Sequence, residues 1–160
     1  MALLLKNLFF TFLVPGTVAG LLPWSIAEGA APATGWTLPI AVLLFALGAA
    51  IYSWCVWDFA SFGRGTPAPI DAPKRLVVRG LYRTTRNPMY LGVLTFLLGW
   101  ALLYLLPAFV LYAALVGTLF HTFVLLYEEP HLEREFGDEY RAYRARVGRW
   151  LPRTRRSLPS

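Results

Sequence analysis

Hydrophobic and polar positions alternate along this chain in long blocks. Four apolar stretches each approach the roughly 20 residues that a helix needs to cross about 30 Å of hydrocarbon. They run over 8–24, 38–57, 89–106 and 108–127. The second holds no charged residue, and only His121 interrupts the fourth. Pro107 separates the last two, so they are predicted to form a tight helical hairpin. Pro15-Gly16 predicts a kink inside the first stretch, which membrane helices tolerate. That stretch has one Lys (Lys6) and a short apolar core, so it is a poor secretory signal and is expected to be retained.

Two polar segments follow these blocks. The first, 58–87, begins rich in Gly and Pro, which predicts an irregular loop. It ends in Asn87-Pro88, which reads as a helix start. The Asn oxygen can accept from an exposed first-turn N–H, and Pro is favoured at the first helical position. In the second, from Glu128, the residues Leu132, Phe136, Tyr140, Tyr143 and Val147 recur every three or four positions. They predict an amphipathic helix lying along the interface or folding back over the loop. The expected fold is therefore an all-α integral membrane protein in one domain, 1–160. It has about four transmembrane helices and an amphipathic C-terminal helix. Segments 74–90 and 128–152 form a cap.

Composition supports this pattern. Of 160 residues, 57% are hydrophobic and only 15% charged, and the mean hydropathy is +0.52. Such a chain is neither an ordinary soluble globule nor a disordered segment. The single cysteine, Cys55, excludes a disulfide framework and cysteine-rich zinc sites, and no metal site is expected.

Charge adds orientation. Six basic residues lie in 58–87, eight follow Glu128, and Lys6 completes the fifteen. The 24–37 connection has none. Four spans put every basic residue on one side, which the positive-inside rule makes cytoplasmic. Both termini and the site are expected there. No nucleic-acid motif accompanies the net charge of +6, and anionic lipid head groups account for it. Asp58 is expected to be an interface residue, Cys55 inert packing, and Trp24, Trp36, Trp54, Trp57 and Trp100 interface anchors.

Candidate chemistry collects at the cytoplasmic ends of the last two spans. Arg86, Asn87 and Tyr90 stand there beside Glu128 and Glu129. An arginine or a free helix N-terminus can hold a carboxylate, and a glutamate can hold an ammonium or a ribose diol. The bland alternative is a set of interfacial ion pairs. His121, seven residues before Glu128, is either functional or a neutral helix–helix contact.

Several blocks carry a family resemblance. They are Leu76-Val77-Val78-Arg79-Gly80-Leu81-Tyr82, Arg86-Asn87-Pro88-Met89-Tyr90, Glu128-Glu129, then Leu132, Phe136-Gly137, Tyr140, Tyr143 and Arg146-Val147. In this order, around a helical hairpin, they resemble the isoprenylcysteine carboxyl methyltransferase family. Phospholipid N-methyltransferases share its general plan. The likeness spans about 76–152. It implies S-adenosylmethionine as methyl donor, bound at the cytoplasmic ends of the last two spans. Leu76, Val77, Gly80 and Tyr82 would line the cofactor. Arg86, Asn87, Pro88 and Tyr90 would hold its methionine part, and Glu128 and Glu129 its ribose or amine. Arg86, Glu129 and Arg146 would be the catalytic residues, with Arg146 facing the substrate. The family often has His where this chain has Asn87, and Asn makes proton transfer there implausible.

The expected activity is methyl transfer to a lipophilic acceptor. A carboxylate or thiolate needs no base, whereas an amine needs one, and Glu128, Glu129 and His121 are the candidates. With no evident dedicated base, the carboxylate or thiolate is favoured. The alternatives are a phospholipid or amine N-methyltransferase, an NADPH-dependent sterol-reductase-like enzyme, and a non-catalytic module that binds anionic lipid.

Overall fold

The computed structural model describes residues 15–63 and 75–153. Residues 8–14 of the first predicted span, Lys74 at the start of the cap, and Lys6, Arg64, Arg155 and Arg156 lie outside the described residues. A π-helical turn, Thr17–Leu21, leads into α1 (Leu22–Ala27). Helix α2 covers Thr37–Asp58 and continues into a π turn at Phe59–Gly63. A 3-10 turn, Gly80–Arg83, precedes α3 (Pro88–Tyr104). Helix α4 (Pro107–Phe123) runs through a π turn, Val124–Glu128, into α5 (Glu129–Arg146). The described residues are helical apart from loops and one isolated bridge, Thr85 to Gly148.

Two helical stretches are long and apolar enough to cross a bilayer, Thr37–Phe62 and Pro107–Arg146. Only 17% and 22% of their most apolar windows are buried inside the protein. A core helix of a soluble protein would be covered, so these exposed apolar faces need lipid. Thr17–Ala27 and Pro88–Tyr104 are apolar but shorter. The predicted amphipathic helix is a direct continuation of the fourth apolar stretch.

Helix pairing follows from small residues. A Cβ on Gly48 of α2 would stand 2.7 Å from the Gly92 oxygen and the Phe96 nitrogen of α3. The two backbones therefore touch, as small residues allow where no hydrophobic effect drives helices together. The rings of Phe45 and Phe96 pack 4.7 Å apart beside this contact. The α3–α4 hairpin closes because Leu105 takes a left-handed conformation (φ 53°) and Pro107 starts the next helix.

The π turn at Thr17–Leu21 hands carbonyls to its neighbours. Trp100 donates its indole N–H to Ala19 O (2.9 Å), and the Tyr112 hydroxyl donates to Val18 O (2.8 Å). Trp100 is thus a bundle residue rather than an interface anchor. Trp24, Trp36, Trp54 and Trp57 are exposed, as expected of anchors.

Helix α5 folds back over the polar loop, and its apolar stripe provides the reason. Tyr140, Tyr143 and Val147 pack with Leu76, and Val78, Leu132 and Phe136 join them. Gly137 (φ 50°) kinks the helix to fit. On the loop's other side, Val77 and Tyr82 pack with Cys55 of α2.

Gly48→Val is expected to destabilise the protein by about 1–3 kcal/mol through overpacking. Gly20→Ala, with nothing within 4 Å of its added carbon, serves as control. Thermal unfolding in detergent checks both, and equal melting temperatures would contradict this packing.

Candidate functional site

The site is built where the start of α3, the start of α5 and the turn after α5 meet. Pro130 has no N–H, so it cannot bond the carbonyl four residues back, and the chain before it widens into the π turn. The turn closes with Glu129 N–H donating to Val124 O. Glu128 and Glu129 are therefore presented in different directions at the end of the apolar stretch.

Glu129 is a buried charge, 8% exposed. Arg149 binds it with two hydrogen bonds, Nε to Oε1 at 2.7 Å and Nη2 to Oε2 at 2.9 Å. Arg86 adds an ion pair from Nη2 to Oε1 at 3.0 Å. Arg86 also donates from Nη1 to the Tyr140 hydroxyl (3.1 Å). Burial pushes the Glu129 carboxyl up, but the Arg149 hydrogen bond and the Arg86 and Arg149 charges outweigh it and hold it below its ordinary value. Burial lifts Tyr140 to about 12, with Arg86 opposing, so its hydroxyl stays protonated.

Glu128 has a different environment. Its Oε2 accepts the Tyr90 hydroxyl at 2.7 Å, and no arginine pairs with it among the described residues. Burial pushes its carboxyl up, the Tyr90 bond opposes this, and the Glu129 charge adds to it.

The segment after α5 is strapped onto the loop before α3. Arg86 N–H donates to Gly148 O (2.9 Å). The Thr85 hydroxyl (2.9 Å) and the Asn87 amide (3.0 Å) both donate to Arg149 O. The Asn87 side chain therefore makes no cap bond to α3, contrary to the sequence expectation. It fixes the strap instead. Gly148 is needed for the turn, because an added Cβ would collide with Leu151 O. Trp150 then crosses to α4, donating to His121 Nδ1 (3.0 Å), with its ring 6.4 Å from that of Tyr90.

The structure brings together Arg86, Asn87, Pro88, Tyr90, Glu128 and Glu129. Leu76 packs on Tyr140 and Tyr143 beside them, Val77 and Tyr82 pack with Met89, and Tyr82 O accepts the Tyr143 hydroxyl at 2.8 Å, whereas Gly80 faces Trp54 and Asp58 of α2. Arg146 is not brought in. It is exposed, and its Nε bonds Ala142 O within its own helix (3.2 Å). Arg149, three residues on, holds the buried carboxylate. Sequence reasoning missed it, and the one signal was Gly148, whose turn sends the chain back. Asp58, expected at the interface, is buried and paired with Arg79 Nε at 3.0 Å.

Residues 36–139 match the family described as phospholipid methyltransferase. The chain belongs to that family. Its members are membrane methyltransferases, related to the isoprenylcysteine carboxyl methyltransferases that the sequence blocks resemble. An uncharacterized protein of Haemophilus influenzae is 41% identical over 64 residues, which cover 39% of this chain and all of that protein. No solved structure matches.

Glu129, with its lowered carboxyl, stabilises the fold fully above its ordinary value of 4.5. That contribution is lost as pH falls through the folded value. Melting temperature is therefore expected to drop more steeply on acidification in the wild type than in Glu129→Gln. Parallel pH profiles in detergent would show that the clamp is not formed.

Proposed function

We propose that this protein is an integral membrane, S-adenosylmethionine-dependent methyltransferase that methylates the amine of a lipophilic acceptor. In this reading four spans cross the bilayer, and both termini and the site face the cytoplasm. The observation that carries the acceptor is Glu128. Of the three candidate bases, Glu129 is spent on two arginines and His121 Nδ1 accepts from Trp150. Glu128 has one neutral hydroxyl partner and a raised carboxyl. An amine acceptor needs such a group, whereas a carboxylate or thiolate does not. This reverses the preference drawn from sequence.

The residues present fit the cofactor. Arg86 Nε is buried without a hydrogen-bond partner among the described residues, and α3 begins without a side-chain cap. Both suit a carboxylate. Glu128 and Tyr90 stand one helical turn inside, and the 76–82 stretch lies between α2 and α5 beside them. When bound, the cofactor supplies an electrophilic methyl on a sulfonium.

The chain's own residues then have three tasks. The Arg86–Glu129–Arg149 clamp fixes the wall, so that donor and acceptor can be held about 3–3.5 Å apart in line. The strap, with Trp150 over Tyr90, excludes water. Glu128 takes the proton from the acceptor's ammonium, which frees the nitrogen lone pair for the methyl carbon. Its raised carboxyl narrows the gap between the two proton affinities.

S-adenosylhomocysteine is expected to raise the melting temperature in detergent, and NADP is not. Arg86→Ala and Glu129→Gln should each weaken that binding by about tenfold, on the order of 1.4 kcal/mol. A folded protein indifferent to S-adenosylhomocysteine would overturn the assignment. Glu128→Gln should cut methyl incorporation into an aminophospholipid by about a hundredfold. In the wild type the acid limb should lie above pH 4.5, because activity is lost as Glu128 is protonated through its raised value. Incorporation into a prenylcysteine carboxylate, but not into an amine, would overturn the choice of acceptor.

A further inference from the structure

Beside the clamp, on the side of the strap, lies a polar cavity of about 390 Å³. That is within the range of small-ligand sites. Four guanidinium groups line it, from Arg86, Arg144, Arg149 and Arg153, together with the Glu129 carboxylate and the Gly148 turn. The pairing leaves charge over. Arg86 and Arg149 share Glu129, and Arg144 pairs with Glu133 at 2.9 Å. Among the described residues Arg153 has only carbonyl acceptors, Arg144 O and Ala145 O at the end of α5. Among the described residues, the four guanidiniums of the cavity thus draw on two carboxylates, Glu129 in its wall and Glu133 outside it, an excess of two positive charges.

The surplus guanidiniums are open to solvent: the Arg144 side chain is 43% exposed, that of Arg149 31%, and Arg153 is exposed, so an anion can reach them. Arg86 differs: its side chain is only 8% exposed, and it lines the cavity while paired with Glu129.

From these observations we infer that the cavity is a phosphate site, in which Arg144, Arg149 and Arg153 hold the oxyanion of a phosphate ester. Guanidiniums match phosphate geometry through paired N–H donors, and a site of net charge +2 takes a phosphodiester or phosphate anion. The cavity shares Glu129 with the clamp, and Glu128 is the next residue. A phosphodiester bound here would anchor an aminophospholipid as the acceptor. This role rests on the amine-methyltransferase reading, whereas the oxyanion site rests on the cavity alone.

The test uses the full chain in neutral detergent, without cofactor, at constant ionic strength set with chloride. Melting temperature is followed while inorganic phosphate, or glycerophosphoethanolamine, is titrated. A saturable rise is expected, with affinity about tenfold weaker in Arg153→Gln and in Arg144→Gln. Two variants guard against a folding defect in one. S-adenosylhomocysteine binding should be unchanged in both. Saturation by glycerophosphoethanolamine assigns a lipid head group as the source, and saturation by inorganic phosphate alone assigns free phosphate. No saturable response, or one unchanged in both variants, would overturn the site even if S-adenosylhomocysteine still binds. A phosphate response without S-adenosylhomocysteine binding would instead overturn the methyltransferase reading and leave the site standing.

Discussion

Glu129 sits at the first turn of α5, where the apolar stretch of α4 ends, and it is 8% exposed. A lone carboxylate there would lose its proton-free form or unfold its surroundings. Two arginines from opposite ends of the cap prevent this, Arg86 from before α3 and Arg149 from after α5. They are brought together by the need to compensate one charge. The strap, the loop and the helix ends take their relative positions from that need. Thr85 and Asn87 reinforce it by donating to the carbonyl of the same Arg149.

The neighbouring glutamate shows how one residue step separates two chemistries. Glu129 faces cations and is held ionised. Glu128 faces a tyrosine in an apolar surrounding, and burial raises it. Pairs of titratable groups driven apart in this way are a common route to acid–base function. The π turn before Pro130 is the local device that aims them, and such turns recur at functional sites. Family membership supplies methyl transfer, and the difference between these two carboxylates is the reason the proposed acceptor is an amine.

Much of the frame was legible from residue pattern. The helical hairpin at Pro107, the α5 stripe of Tyr140, Tyr143 and Val147, and the meeting of Arg86 with Glu129 all follow from spacing. Less legible were choices among partners. Asn87 has the composition of a helix cap, yet its amide bonds the Arg149 carbonyl 62 residues away. Arg146 and Arg149 look equivalent in a basic tail, and only the turn at Gly148 decides which one reaches the carboxylate. Asp58 reads as a surface charge until Arg79 is seen to cover it.

The sequence by itself determined the apolar blocks and their helical state, because burial in lipid and backbone self-satisfaction depend on local composition and length. Its motif blocks pointed to a membrane methyltransferase, though to the isoprenylcysteine carboxyl family rather than the phospholipid methyltransferase family that matches. It also determined that acids and bases gather at one end. The tertiary structure decided which acid is neutralised and which is left available. That choice depends on distances between groups remote in the chain, and charge compensation in a buried site acts over only a few ångströms.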